Sequence, residues 1–323
     1  VATDLPRAIF LTGPTAAGKT DLSLMLADEF NGEIVSVDSA QVYIGMDIGT
    51  AKPEAAIQQQ VPHHLIDLCD PAVSYSAANF REDALTAMTD ITERGRVPIL
   101  VGGTALYFKA LVQPMAAMPP ADAEVRAQLQ GWLDAAGLEA LVAELQAVDP
   151  QAWARIDRQN PQRVLRALEV QRISGRPISE FWAASAHDGR GGLSEAALDD
   201  FPWQVVQFAV SPDERSVLHQ RIEQRFQSML EMGFEDEVVR LFQRGDLHLD
   251  LPSIRAVGYR QMWQYLSGEL EYRQMTAAGI AATRQLAKRQ LTWMRGWEGL
   301  NWLDSQADDL FDQARQRLRK KVT

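Results

Sequence analysis

Gly13-Pro14-Thr15-Ala16-Ala17-Gly18-Lys19-Thr20 decides the reading of this chain. The eight residues match G-x-x-x-x-G-K-[ST], a pattern whose glycines let backbone amides turn inward around phosphate oxygens. Lys19 adds a point charge, and the Thr20 hydroxyl is suited to ligand Mg²⁺. An apolar run at 8–12 precedes the motif. Leu22, Leu24, Met25 and Leu26 then give the next segment the look of an amphipathic helix, whose positive dipole end faces the anion. Strand, phosphate loop and helix together open an α/β domain. The motif says polyphosphate and not ATP hydrolysis, because nucleotides, sugar phosphates and isoprenoid diphosphates present the same oxygens.

Working outward, apolar runs at 33–37, 64–68 and 97–101 continue the alternation with stretches of helical length. That pattern predicts β-α-β units and a parallel sheet. After Met115 the texture changes. Met118-Pro119-Pro120-Ala121-Asp122 is a break with a helix-start signal, and from there to about Gly175 the pattern is helical. Asp149-Pro150 ends one helix, and Asn160-Pro161 starts another as N-cap and first-turn proline. The small, polar segment 185–200 reads as a flexible connection. A strand-like run returns at 203–210, long helical patterns follow, and 300–303 reads as a last short strand. The expected organisation is an α/β core made of 1–118 and 200–323, interrupted by a helical insertion domain at 119–199.

The 323 residues are 46% hydrophobic and 23% charged, as in a soluble globular protein with a large core. One cysteine, Cys69, excludes an internal disulfide framework and any multi-cysteine metal site, and it fits a reducing cytoplasm. The apolar stretches are too short to span a bilayer, so no membrane partner is expected. The run at 8–11 leads straight into the phosphate motif and reads as a core strand, not a signal peptide. A formal charge of −11 argues against nucleic acid unless the cations gather locally.

Two clusters do gather. Arg155, Arg158, Arg163, Arg166, Arg172 and Arg176 face only Asp157 and Glu169 along their stretch, and Arg284, Lys288, Arg289 and Arg295 have no acid among them. At about 100° per residue, Arg284, Lys288 and Arg295 share one helix face, with Leu286, Trp293 and Trp297 on the other, suited to the core. A solvated face is the usual meaning of such a pattern. The alternative is an anion site for a small diphosphate or an RNA backbone.

The second strand places Asp38-Ser39-Ala40-Gln41 at its carboxyl end, the end that faces the ligand crevice in open α/β sheets. Asp38 could bind Mg²⁺, act as general base for an incoming nucleophile, or merely cap a turn. The strand at 97–101 ends in Gly102-Gly103-Thr104 where an ordinary Walker B strand would end in an acid. The glycines permit close backbone approach, and Thr104 offers a neutral hydrogen bond. His63-His64 point to opposite faces of a strand, which favours packing over metal binding.

These motifs occur together, in this order, with Val42-Tyr43 after Gln41, Pro62-His63-His64-Leu65-Ile66-Asp67, Ala105-Leu106-Tyr107, Arg255-Ala256-Val257-Gly258-Tyr259-Arg260-Gln261 and Lys288-Arg289-Gln290-Leu291-Thr292-Trp293. The set resembles the tRNA dimethylallyltransferases, also called tRNA isopentenyltransferases, from the phosphate loop to about Trp297. Ala17 departs from the family's usual serine, which removes one hydroxyl contact to phosphate. The resemblance implies a P-loop NTPase-like core related to nucleotide kinases and an insertion that grips the anticodon arm. It implies transfer of a dimethylallyl group from dimethylallyl diphosphate to the exocyclic amine of the adenine 3′ of the anticodon in tRNA.

It further implies Asp38 and Thr104 as catalytic residues, Mg²⁺ as cofactor on Thr20, and Gly13, Thr15, Ala16, Ala17, Gly18, Lys19 and Thr20 around diphosphate. For tRNA it implies Asp38, Ser39, Ala40, Gln41, Thr104, Arg126, Gln162, Arg163, Arg166, Arg284, Lys288 and Arg295, in a cytoplasmic monomer. The rival reading is a small-molecule kinase with the same phosphate loop. A non-enzymatic rival, an RNA-binding protein that senses nucleotide, leaves Asp38 and Thr104 without a purpose.

Overall fold

Runs of Val, Ile, Phe and Leu with almost no alternation make strands that are covered on both faces, and here they form a fully parallel sheet. The computed structural model describes residues 5–113, 118–184 and 192–320. In chain order the elements are β1 (Arg7–Thr12), α1 (Lys19–Glu29), β2 (Gly32–Val37), α2 (Ala55–Gln60), β3 (His63–His64), α3 (Ala77–Glu93), β4 (Val97–Gly102) and α4 (Ala105–Val112). Next come α5 (Ala123–Val148), α6 (Pro150–Arg155), α7 (Pro161–Ser174), α8 (Ile178–Ala184) and α9 (Ala196–Asp199). The chain continues with β5 (Gln204–Ser211), α10 (Arg215–Glu231), α11 (Phe234–Phe242), α12 (Tyr259–Leu266), α13 (Tyr272–Met294), β6 (Asn301–Asp304) and α14 (Leu310–Lys320). The six strands lie in the order β3-β2-β4-β1-β5-β6.

Two compact units result, one of residues 1–112 with 191–323, the other of residues 113–190. In the first, Phe10, Val35, Phe80, Leu100 and Phe108 pack one side of the sheet, and Leu11, Leu22, Leu26, Ile99 and Phe208 pack the other. A further cluster around Phe226, Phe234, Tyr259 and Met262 holds α10 to α13 together. The helical unit has its own core of Leu129, Leu141, Leu145, Val164, Leu168 and Ile178. The buried Asp149 carboxylate accepts from the Ala152 and Ser179 amides, which fixes the starts of α6 and α8. Asn160 accepts from the Arg163 amide at the start of α7.

Three expectations change. The strand expected at 64–68 shrinks to His63–His64, because Leu65 (φ 62°) and Asp67 (φ 54°) take left-handed conformations that no strand accommodates. The segment 185–200 is not a continuous flexible connection over its described part: Leu193 is fully buried and Ala196–Asp199 is helical, while 185–191 lie outside the described residues. Met25 is exposed, and α1 buries Leu22, Ser23, Leu26 and Ala27 instead. The histidines do point apart. His64 Nε2 lies 2.6 Å from Glu33 Oε2, and His63 Nδ1 lies 2.7 Å from the Val61 carbonyl. Burial alone would raise the Glu33 carboxyl, but hydrogen bonds from His64 and Arg94 hold it below the usual carboxylate range.

Candidate active site

Sheet register assembles the site. Thr12 of β1 and Val37 of β2 both stand opposite Gly102 of β4. The phosphate loop, the Asp38 turn and the Gly103-Thr104 turn therefore leave three adjacent strands at one level. The strands approach closely there: a Cβ on Gly102 would lie 2.0 Å from the Val37 carbonyl oxygen. The Thr104 amide donates to Val37 O, and the Thr104 Oγ1 accepts from the Ser39 amide at 3.2 Å, which ties the two turns together.

The loop bends through Ala16 (φ 63°) and Gly18 (φ 91°), and Thr15 to Thr20 line a polar cavity of about 770 Å³. Lys19 Nζ donates to the Gly13 and Pro14 carbonyls at 2.9 and 2.8 Å. Burial pushes its ammonium down to about 7; the Arg225 guanidinium adds to the fall, and Asp38 opposes it. Ala17 is fully buried, and its carbonyl accepts from Arg221. Thr20 is exposed at the mouth of this cavity.

Asp38 uses Oδ1 to accept from the Ala40 and Gln41 amides at 2.8 and 3.4 Å. That is the turn-capping role, and it leaves Oδ2 without a hydrogen-bond donor among the described residues. A second cavity of about 530 Å³ meets the first at Asp38 and is walled by Phe226, Phe234, Tyr259, Leu106 and Trp293. Ser39, Ala40 and Thr104 line it. The Gln41 side chain is committed to protein: it accepts from Ser36 Oγ and donates to the Thr50 and Ala51 carbonyls.

Two site residues escaped the sequence reading. Arg225, on α10, lines both cavities and makes no hydrogen bond or salt bridge among the described residues. It lies outside both basic clusters, on a helix where Glu223 separates it from Arg221. Gln290, on α13, also lines both cavities. It lies inside one of the quoted motifs, but a neutral amide carried no electrostatic signal. The helical wheel also needs correction. Leu286 and Trp293 line the apolar cavity; the core face of α13 is Met275, Ile280, Ala287 and Met294. Periodicity identifies an apolar face but not whether core or cleft lies opposite it. Trp297 is buried as expected, against Phe108.

The basic clusters divide. In the helical unit, Arg126 and Arg166 both pair with the buried Glu169 at 3.2 and 2.8 Å, and Arg166 also donates to Pro119 O. Arg155, Arg158, Arg172 and Arg176 lie over the rings of Trp182, Trp153, Trp132 and Phe181. Gln162 and Arg163 are exposed, and no described residue pairs with either side chain. On α10 and α13, Arg284 pairs with Glu223 at 2.8 Å, while Lys288, and Arg295 just past the helix, are exposed. Among the described residues no group of three or more His, Cys, Asp or Glu could hold a metal ion, and no helix is long and apolar enough to cross a membrane.

Residues 41–297 match the IPP transferase family. The chain belongs to this family. The full-length tRNA isopentenylpyrophosphate transferase of Bacillus halodurans is 37% identical, with 98% of this chain and 95% of that one covered at a TM-score of 0.68. The tRNA Δ(2)-isopentenylpyrophosphate transferase of Staphylococcus epidermidis is 31% identical, with 98% and 99% covered at 0.69. A eukaryotic dimethylallyltransferase acting on tRNA, 24% identical, shares the fold at a TM-score of 0.73 over 97% of this chain and 77% of its own. The α/β, P-loop NTPase-like architecture is thus common to the IPP transferases and this chain.

Proposed function

We propose that this chain is a tRNA prenyltransferase that moves a dimethylallyl group from dimethylallyl diphosphate to the exocyclic amine of the adenine 3′ of the anticodon. The observation that carries the reading is the meeting of two unlike cavities at Asp38. One is polar and built on the phosphate loop, and the other is aromatic-walled and large enough for an unstacked base with a five-carbon chain. A kinase reading explains the first cavity and leaves the second without a role.

In the reaction the amine nitrogen forms a bond to the primary allylic carbon as the carbon–oxygen bond to diphosphate breaks. Negative charge grows on the leaving oxygens, so fixed donors lower the barrier. The loop amides, Lys19 and Arg225 supply them. An adenine amine is a poor nucleophile because its lone pair is delocalised into the ring. Asp38, through its free Oδ2, accepts the amine proton as the bond forms, help typically worth about 10²–10⁴-fold. The Thr104 hydroxyl, held by the Ser39 amide, steadies the Asp38 turn. Mg²⁺ suits the exposed Thr20 hydroxyl together with diphosphate oxygens, a hard-oxygen donor set, and would add positive charge to the leaving group. The base must leave its stack at a cost of a few kcal/mol, which contacts from exposed cations such as Arg163 and Lys288 to the RNA backbone offset.

The test is to incubate the protein with unmodified tRNA and labelled dimethylallyl diphosphate. Label should appear in adenosine. The Asp38→Asn protein keeps the Oδ1 turn contacts and the tRNA affinity, and its single-turnover rate should drop by about 10²-fold or more. A parallel incubation with γ-labelled ATP that labels a small-molecule acceptor, with no dimethylallyl label in tRNA, replaces the reading with the kinase one. A single-turnover rate for Asp38→Asn within threefold of the unsubstituted protein removes Asp38 from the role of base.

A further inference from the structure

One neutral side chain spans the site. From α13, Gln290 Oε1 accepts from the Thr15 amide at 2.9 Å, and its Nε2 donates to the Gly103 carbonyl at 3.0 Å. Thr15 belongs to the phosphate loop. Gly103 precedes Thr104, whose Oγ1 accepts from Ser39 beside Asp38. A continuous line of contacts therefore runs from the diphosphate cradle, through one amide, to the base. Gln290 stands on the wall shared by both cavities.

The chemistry of the link demands an amide. One end must accept from an N–H and the other must donate to a carbonyl, which neither a carboxylate nor an ammonium can do. The space is matched as well: a Cβ on Gly103 would lie 2.2 Å from Gln290 Nε2, so any other residue at 103 displaces the amide. On the same helix, two residues away, Lys288 faces solvent.

We propose that Gln290 is a positioning residue for the transfer reaction, setting the separation between the phosphate loop and the Thr104–Asp38 pair. This rests on the prenyltransferase reading above. The leaving group and the base act on opposite ends of one displacement, and a misplacement of about 1 Å in such a pair costs up to roughly 10²-fold. The Thr15 amide that Gln290 holds belongs to the same loop as Lys19, so the contact fixes the cradle from the side of α13.

The test uses the full chain with Gln290→Ala, Gln290→Glu and Gly103→Ala. Three quantities are measured: affinity for inorganic diphosphate by calorimetry, single-turnover dimethylallyl transfer with both substrates saturating, and thermal unfolding. Gln290→Ala should lower the single-turnover rate by about 10- to 100-fold, with tRNA affinity within about twofold. Its melting temperature should stay within about 3 °C. Gln290→Glu, which keeps the size and loses the donor, should be as slow and should weaken inorganic diphosphate binding. Gly103→Ala should reproduce the loss, and the double variant should lose no more than either single one, the non-additivity expected of two changes to one contact. A Gln290→Ala rate within threefold of the unsubstituted protein overturns the proposal. So do additive losses, or a loss that tracks a collapse in melting temperature in every variant. If the unsubstituted protein itself transfers nothing to tRNA, the prenyltransferase reading falls, and with it the positioning role in that reaction.

Discussion

Lys19 and Arg225 in the α/β unit, and Arg126 and Arg166 in the helical unit, are cations of opposite standing. The first two are 206 residues apart in sequence, share one cavity, and have no carboxylate within salt-bridge distance among the described residues. The second two belong to an arginine-rich part of the chain and converge on one buried carboxylate, Glu169. Clustering in sequence thus includes positive charges that the fold commits internally, whereas the two cations that line the phosphate-loop cavity come from separate parts of the chain. An uncompensated buried cation is costly for the empty protein, and here the cost shows as the ammonium of Lys19 pushed down to about 7.

The largest expected break in this comparison is Glu169→Gln. Leaving Arg126 and Arg166 without their shared anion should cost about 2 kcal/mol, less than a fully buried pair because both guanidinium groups reach solvent. Denaturant unfolding followed by tryptophan fluorescence checks it. The inorganic diphosphate affinity should not move. Unchanged stability would mean that the pairing in the helical unit is incidental.

Arg225→Gln sharpens the other side. Diphosphate affinity should fall about tenfold, the value of one charged hydrogen bond. The pH dependence carries a sign. With its ammonium pushed down to about 7, Lys19 contributes to diphosphate binding fully on the acid side and loses that contribution as pH rises, taking up a proton on binding above neutrality; the ligand's own ionisation over this range is subtracted from the profile. Removing the Arg225 charge lets Lys19 hold its proton longer, so the fall should move to higher pH. Calorimetry from pH 6 to 9 in two buffers of different ionisation heat measures both. A midpoint that stays put, or moves down, contradicts the proposed coupling of the two cations.

The smallest effect belongs to Arg163, the exposed cation that Glu169 does not claim. If it meets an RNA phosphate, Arg163→Gln should reduce the slope of log K against log salt for tRNA binding by about one, with no change in melting temperature. Arg166→Gln should do the reverse, lowering the melting temperature because Glu169 and Pro119 O lose a donor. Equal behaviour of the two variants would erase the distinction between committed and available arginines.

The contrast also shows what was legible in the sequence. The parallel core, the phosphate loop and the positions of Asp38 and Thr104 were readable because local pattern decides them: each site segment lies within two residues of the end of a short, mostly apolar strand. The truncation of β3 was not, since left-handed φ values at Leu65 and Asp67 carry no compositional signal. Gln290 and Arg225 were missed for a different reason. Their roles come from tertiary placement opposite the phosphate loop, which no spacing within α10 or α13 encodes. Leu286 and Trp293 were read as core because a helix face is apolar toward a cleft as well as toward an interior.

The paired glycines at the end of β4 bear on the evolutionary reach of this site. An aspartate at 102 would drive its Cβ into the backbone of β2, and one at 103 would expel Gln290. A lineage planting an acid beside the phosphate loop at either position would first have to rebuild this corner of the sheet or its contact with α13.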